Sequence, residues 1–111
     1  MQTVTEFMPM SDRYAFDFRL CHFTKGWAQL DTRQDASYYG NWINPLTRQL
    51  CSFAEGDVTI ITCDDDAEFI AQVTETFGWH KERGYEPAID GMCSETIIAR
   101  FNELGLAHML H

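Results

Sequence analysis

Acidic side chains are concentrated in one part of this 111-residue sequence, where they could attract a positively charged partner. The chain has 17 Asp and Glu residues against 8 Lys and Arg, which gives a net charge of −9 at pH 7. No Lys or Arg lies between Gln49 and His80. A surface of one charge sign attracts an oppositely charged protein and raises its association rate. The acids of this tract are Glu55, Asp57, Asp64, Asp65, Asp66, Glu68 and Glu75.

The tract has two interpretations, and the sequence leaves both open. In the first, acids from a turn, a strand end and a helix start converge in space and form a docking patch. In the second, residues 64–68 only begin a helix, because carboxylates accept hydrogen bonds from the free N–H groups there and favour the positive end of the helix dipole. The remaining acids would then be solvated.

Aromatic residues near the tract could anchor a partner, since exposed Trp and Tyr are common at protein interfaces. Tyr39 is one candidate, on a predicted strand. Trp79 is the other, because it lies off the apolar stripe of its predicted helix. The predicted partner-binding residues are therefore Tyr39, Glu55, Asp57, Asp64, Asp65, Asp66, Glu68 and Trp79.

The sequence contains no recognisable catalytic or metal-binding motif. His108 and His111 share a helical spacing but have no third ligand at a typical distance along the chain. Cys21 and His22 are neighbours on a predicted strand, so they point to opposite faces and cannot form a catalytic pair. We therefore predict no catalytic residue, no metal and no cofactor. The lack of a catalytic or metal-binding motif favours a binding protein over an enzyme.

The composition disfavours several classes of partner. Hydrophobic residues make up 45% of the chain and aromatic residues 14%, which is enough for one folded core. A net charge of −9 disfavours direct binding to nucleic acid or to an anionic membrane surface. The sequence shows no signal-peptide pattern and no apolar run of about 18 residues. We therefore predict a cytoplasmic protein whose four cysteines are reduced and mostly buried.

Alternating and β-branched residues predict strands before the acidic helix start. Asn44 and Pro45 predict a type I turn, and Gly56 predicts a second turn. The five predicted strands are residues 14–23, 27–32, 38–43, 48–53 and 58–63.

Pairing across these turns places Trp42 opposite Gln49, Phe53 opposite Val58, and Cys51 opposite Ile60. Alternation then assigns the side chains to two partly apolar faces, and a one-residue error in register would exchange them. One face carries Tyr38, Trp42, Cys51, Phe53, Val58 and Ile60. The other carries Tyr39, Ile43, Leu50, Ile61 and Cys63.

Two helices are predicted after the strands. Asp65 is the expected N-cap of a helix at residues 66–83, with Gly84 beyond its end, and Ser94 is the N-cap of a second helix that Gly105 ends. The predicted fold is α+β: an antiparallel meander of four to five strands, then two helices packed on one sheet face. Residues 1–12 are predicted to be a loose arm or an added strand, and residues 13–111 a single domain.

Three functions are compatible with this fold. The first is a small acidic module that binds or inhibits a basic protein, with a nucleic-acid-handling protein as the expected class. Small acidic inhibitors, including those of mobile genetic elements, share this size and charge. The second is a homodimer joined through Tyr39, Ile43, Leu50 and Ile61. The third is a ligand-binding domain or enzyme with a pocket near Trp42, Trp79 and His80.

Overall fold

The structure is a computed structural model, and it describes residues 2–7, 27–30, 39–54, 57–89 and 94–110. The strand predicted at residues 14–23 and the turn predicted at Gly56 lie outside these ranges. The strands are β1 (Gln2–Phe7), β2 (Ala28–Gln29), β3 (Tyr39–Asn44), β4 (Gln49–Ala54) and β5 (Asp57–Cys63). The helices are α1 (Asp66–Glu82) and α2 (Glu95–Glu103), followed by a 3-10 turn at Ala107–Met109.

The strands form one antiparallel sheet in the order β1-β5-β4-β3-β2. Strands β2 to β5 are a four-strand meander in which each strand pairs with the next along the chain. The two helices follow this meander in sequence. The predicted α+β fold is therefore confirmed, together with its strand count of four to five.

Strand β1 is added to the edge of the meander beside β5. It pairs along its whole length, from Gln2 opposite Cys63 to Phe7 opposite Val58. An added strand was one of the two alternatives that the sequence left open for residues 1–12. The division of the chain into residues 1–12 and 13–111 stays a prediction.

The β3–β4 turn lies one residue further along the chain than the sequence predicts. The turn is formed by residues 45–48, and Asn44 accepts backbone hydrogen bonds from Leu46 and Thr47 at 3.0 and 3.2 Å. Arg48 completes the turn in the left-handed region at φ 57°. Trp42 consequently lies opposite Cys51, so its predicted pairing with Gln49 is wrong.

The partner of Trp42 differs from the predicted one by two residues, and an even change in register leaves the assignment of side chains to the two faces unchanged. The predicted pairs of Phe53 with Val58 and of Cys51 with Ile60 are confirmed.

The two sheet faces belong to two separate hydrophobic clusters. Ile43, Leu50 and Cys63 pack with both helices in the larger cluster, which Ile61 joins at its side. Trp42 and Cys51 belong to the smaller cluster with Trp27 and Ile60 on the other face. The helices therefore cover the face that was assigned to a homodimer contact, and Ile43 and Leu50 are buried within the chain. Ile43 and Leu50 are therefore not exposed for such a contact, and the homodimer stays a prediction.

Capping residues fix both helices as predicted. The Asp65 side chain accepts a hydrogen bond from the Glu68 N–H at 2.8 Å, and the Ser94 hydroxyl accepts one from the Ile97 N–H at 3.2 Å. Gly84 follows α1 at φ 81°, which is the left-handed conformation that glycine adopts without steric cost. These local signals determine where α1 begins and ends.

The C-terminal segment docks on the core. Leu106 and Met109 are buried in the larger cluster. Ile89 forms isolated bridges to Leu30 on one side and to Leu110 on the other. Ile89 therefore links the C-terminal segment to Leu30, directly after β2. No helix in the described ranges is long and apolar enough to cross a membrane.

Candidate functional site

The acids at the start of α1 form hydrogen bonds within the chain. The Asp65 carboxylate caps the Glu68 N–H, and the Glu68 carboxylate accepts from the Asp64 N–H at 2.9 Å. This reciprocal arrangement is a variant of the capping box, shifted by one residue at the outer end. Asp64 and Asp65 are nevertheless exposed, and Glu68 is half-buried. Their charge therefore remains accessible at the start of α1, and their carboxylate oxygens stabilise this end of the helix.

Asp66 lies at the centre of a network that joins three elements. Its Oδ1 accepts from Arg48 Nε at 2.8 Å and from Arg100 Nη2 at 2.5 Å. Arg100 also donates to the Pro45 carbonyl at 3.4 Å and to the Glu103 carboxylate at 3.0 Å. The β3–β4 turn, the first turn of α1 and helix α2 are thus tied through one carboxylate. This charge is neutralised by its own chain, which sets Asp66 apart from its acidic neighbours.

The Asp66 network predicts a stability that depends on acid pH. The hydrogen bond from Arg48, together with the charge of Arg100, holds the pKa of Asp66 below its usual value. A carboxyl with a lowered folded-state pKa contributes stability above its unfolded pKa, and that stability is lost as pH falls through the folded value. We expect Asp66→Asn to lower the melting temperature at pH 7, with the difference from wild type shrinking toward pH 3. Thermal unfolding monitored by circular dichroism at both pH values tests this.

A constant difference across that range would contradict the network's electrostatic role. Asp64→Asn is the matched control, because it also removes one exposed carboxylate at the helix start. Its difference from wild type should be smaller at pH 7.

The structure separates the predicted partner-binding residues into two groups. Asp57 begins β5, and the acids at residues 64–68 follow its far end, about 20 Å away at about 3.3 Å per residue. Tyr39 begins β3, close in register to Asp57. The side chains of Tyr39 and Asp57 lie outside the described part of the structure, as does Glu55 entirely. Asp57 therefore lies apart from the acids at the start of α1, and the grouping of all eight residues stays a prediction.

A line of side chains along α1 extends from the acids at its first turn to Trp79 and Glu82 at its last. Residues at a spacing of four and three positions lie on one side of a helix. From the first to the last turn this line carries Glu68, Gln72, Glu75, Trp79 and Glu82. Glu75, Trp79 and Glu82 are exposed. We call these five residues the acidic line. Glu82 was not among the residues singled out from the sequence, although its helical spacing from Trp79 was a usable signal.

Trp79 is the exposed aromatic of this line, as predicted. Its side chain is 44% exposed. The guanidinium carbon of Arg83 lies 3.9 Å from the centre of the indole ring, and Arg83 Nη1 donates to the Trp79 carbonyl at 3.3 Å. This geometry is a cation–π contact. In the sequence, only the four-residue spacing of the two side chains indicates this contact.

The rings of His80 and Tyr85 lie next to the indole of Trp79. The His80 ring lies 5.1 Å from Trp79 in a T-shaped arrangement, and the Tyr85 ring lies 6.4 Å from Trp79 and 5.9 Å from His80. The chain folds back after α1 because the Tyr85 N–H donates to the His80 carbonyl at 3.0 Å. The three rings form an aromatic platform at the end of α1, and we use that name for Trp79, His80 and Tyr85.

Two hydrogen bonds hold His80 in place. Its Nδ1 lies 2.8 Å from the Thr76 carbonyl, which can only accept, so Nδ1 carries a proton. Its Nε2 lies 3.2 Å from the Asn41 amide nitrogen, which can only donate, so Nε2 accepts. This tautomer follows from the two partners. His80 is 3% exposed and links α1 to β3, which makes it the buried, structural member of the platform.

A cavity of about 60 Å³ lies between the middle of the sheet and α1. Trp42 lines it, and so do the polar residues Asn41, Ser52, Thr59 and Thr76. Trp79 and His80 are not among its lining residues. The volume is room for about two water molecules, whereas ligand pockets typically enclose about 300 Å³ or more. This cavity therefore gives no support to the pocket that the sequence suggested.

The two cysteines in the described ranges are buried and unpaired by disulfides. Burial raises the pKa of the Cys51 thiol to about 12. Burial also raises the pKa of Cys63, and the negative charges of Glu68, Asp65 and Asp64 add to that effect. Both thiols are protonated at neutral pH and are poor nucleophiles. They lie in different clusters, on opposite sheet faces as predicted.

Metal coordination is also unsupported by the geometry. Among the side chains that the structure describes, no three His, Cys, Asp or Glu residues come together in a way that could hold a metal ion.

Comparisons with known proteins add no family to this description. No match was found to any protein-family model, to any curated protein or to any solved structure. The acidic line and the aromatic platform are therefore the surface features of the described residues that indicate a function.

Proposed function

We propose that this protein is a small acidic interaction module that binds a basic partner protein along α1. The observation that carries the proposal is Trp79, which is 44% exposed and lies on the same side of the helix as Glu75 and Glu82. An exposed Trp next to charged groups is the composition of an interface anchor with a polar rim. Asp64 and Asp65 extend the negative charge to the start of the helix.

The charge of the whole chain supports the same partner class. A net charge of −9 attracts basic surfaces and repels acidic ones. Proteins that handle nucleic acid carry basic surfaces, because they neutralise phosphates with Lys and Arg. A nucleic-acid-handling protein, bound and inhibited through its basic surface, is therefore the partner that we propose.

The structure changes which acids should be substituted in a test. Asp65 and Glu68 cap α1 and Asp66 holds two arginines, so reversing their charge would also destabilise the fold. Glu75 and Glu82 are exposed and lie on the acidic line. Glu95 on α2 is also exposed but lies outside it. Glu75→Lys and Glu95→Lys therefore change the net charge equally at different places.

We expect Glu75→Lys to weaken partner binding on the order of tenfold at low salt, because reversing one charge about 6 Å from a cation removes roughly 1.4 kcal/mol in water. Glu95→Lys should change affinity much less. Wild-type protein and both variants would each be used to capture proteins from the native host's lysate. The affinity of each captured protein for the three baits would then be measured at two salt concentrations.

The proposal predicts a captured basic protein that Glu75→Lys binds weakly and that Glu95→Lys binds normally. The difference should diminish as salt rises, since surface charges are screened. Equal binding to both variants would contradict the placement of the interface on α1.

A further inference from the structure

We infer that the aromatic platform is a receptor for an arginine side chain of the partner, and that Arg83 fills it in the unbound chain. This inference rests on the proposed function and names the group that the surface recognises. The platform already holds a guanidinium 3.9 Å from the centre of the Trp79 ring. The chain itself therefore places a guanidinium within cation–π distance of this ring.

The contact with Arg83 is weak enough to be exchanged. Trp79 and Arg83 are both exposed, and cation–π contacts at exposed sites are among the weaker interactions in proteins. Arg83 is the C-cap residue of α1. Its Nη1 also donates a hydrogen bond to the Trp79 carbonyl, and the distance of 3.3 Å between these atoms is long. An incoming arginine would gain the same ring contact and release the Arg83 side chain to solvent.

The ring beneath the guanidinium is fixed before a partner arrives. His80 packs against Trp79, and its two hydrogen bonds to Thr76 and Asn41 tie it to α1 and β3. The Tyr85 ring is near both of the other rings, at 6.4 Å from Trp79 and 5.9 Å from His80. A rigid aromatic surface loses little conformational entropy on binding. Glu75 and Glu82 flank the ring along the helix, so charge also favours a cation at this place.

Arginine is preferred to lysine because the guanidinium is planar, stacks on aromatic rings and is less strongly hydrated than an ammonium group. Charge alone does not make this distinction. The ratio of affinities for arginine and lysine ligands of equal charge therefore reports on the platform, whereas affinity for either ligand alone reports on the acidic line.

The test uses two labelled peptides of equal length and charge, one with four arginines and one with four lysines separated by glycine. Their dissociation constants would be measured by fluorescence anisotropy with the full chain at low salt. The arginine preference is the dissociation constant for the lysine peptide divided by that for the arginine peptide. We expect this ratio to be roughly two- to fivefold larger for wild type than for Trp79→Leu. Arg83→Ala should raise the preference above that of wild type, because it removes the competing guanidinium. Trp79→Phe should keep part of it.

Each outcome separates the two proposals. An arginine preference that is the same in wild type, Trp79→Leu and Arg83→Ala overturns the arginine receptor and leaves the acidic interface standing. Binding of both peptides that is unaffected by Glu75→Lys overturns the acidic interface itself. Circular dichroism of each variant checks that the fold is retained.

Discussion

Phe101→Ala is expected to lower the free energy of unfolding by about 3–5 kcal/mol, which is the usual range for removing a fully buried aromatic ring. Phe101 is 0% exposed and packs in the cluster that both helices share with the sheet. Helix α2 has only nine residues, so it is too short to be stable without this packing. Chemical denaturation at neutral pH measures the loss.

Thr96→Ala is the matched control for this change. Thr96 lies on the exposed side of α2, so its truncation should change the free energy of unfolding by no more than about 0.5 kcal/mol. If Phe101→Ala costs less than about 1 kcal/mol, α2 does not contribute to the core in the way that the structure describes. Phe101→Ala should also weaken the Asp66 network, because Arg100, the residue before Phe101, binds Asp66.

Alkaline pH should destabilise the wild-type protein through Cys51. Burial raises the pKa of this thiol from 9.0 to about 12, so the folded chain holds its proton more tightly than the unfolded chain does. The stability linked to this group is fully present below pH 9 and is lost as pH rises toward 12. The loss is about 1.4 kcal/mol for each pH unit in that window.

The measurement compares wild type with Cys51→Ala in denaturant titrations at pH 7 and pH 10 under reducing conditions. The difference between the two unfolding free energies should change by about 1.4 kcal/mol between these pH values, in the direction that penalises wild type. Ser52→Ala, one residue further along β4 and exposed, should show no such change relative to wild type. An identical pH dependence for wild type and Cys51→Ala would mean that Cys51 ionises in the folded state as easily as in the unfolded one.

Much of the fold could be predicted because its signals are local. The cap at Asp65 and the left-handed Gly84 each act within a few residues of themselves, so the ends of α1 were predicted within one residue. The faces of the sheet followed from alternation alone. The pairing of Trp42 failed because Arg48 adopts a left-handed conformation that its residue type does not favour.

The candidate site was harder to predict because its contacts are made between distant parts of the chain. The sequence placed Asp66 among equivalent acids, whereas Arg48 and Arg100 reach it from 18 and 34 residues away. The bond from Asn41 to His80 spans 39 residues. Helical spacing placed Trp79 on the surface, but no periodicity indicates that a guanidinium stacks on its ring.

The two bridges of Ile89 have a consequence for how the protein behaves in concentrated solution. A short terminal strand such as β2 would otherwise present unpaired backbone groups to neighbouring molecules, and such edges template aggregation. Leu30, just after β2, is instead bonded to Ile89, which in turn meets Leu110. Among the described residues, a segment from elsewhere in the chain thus covers this margin of the sheet at Leu30, and fewer backbone groups there are left to pair with a neighbouring molecule.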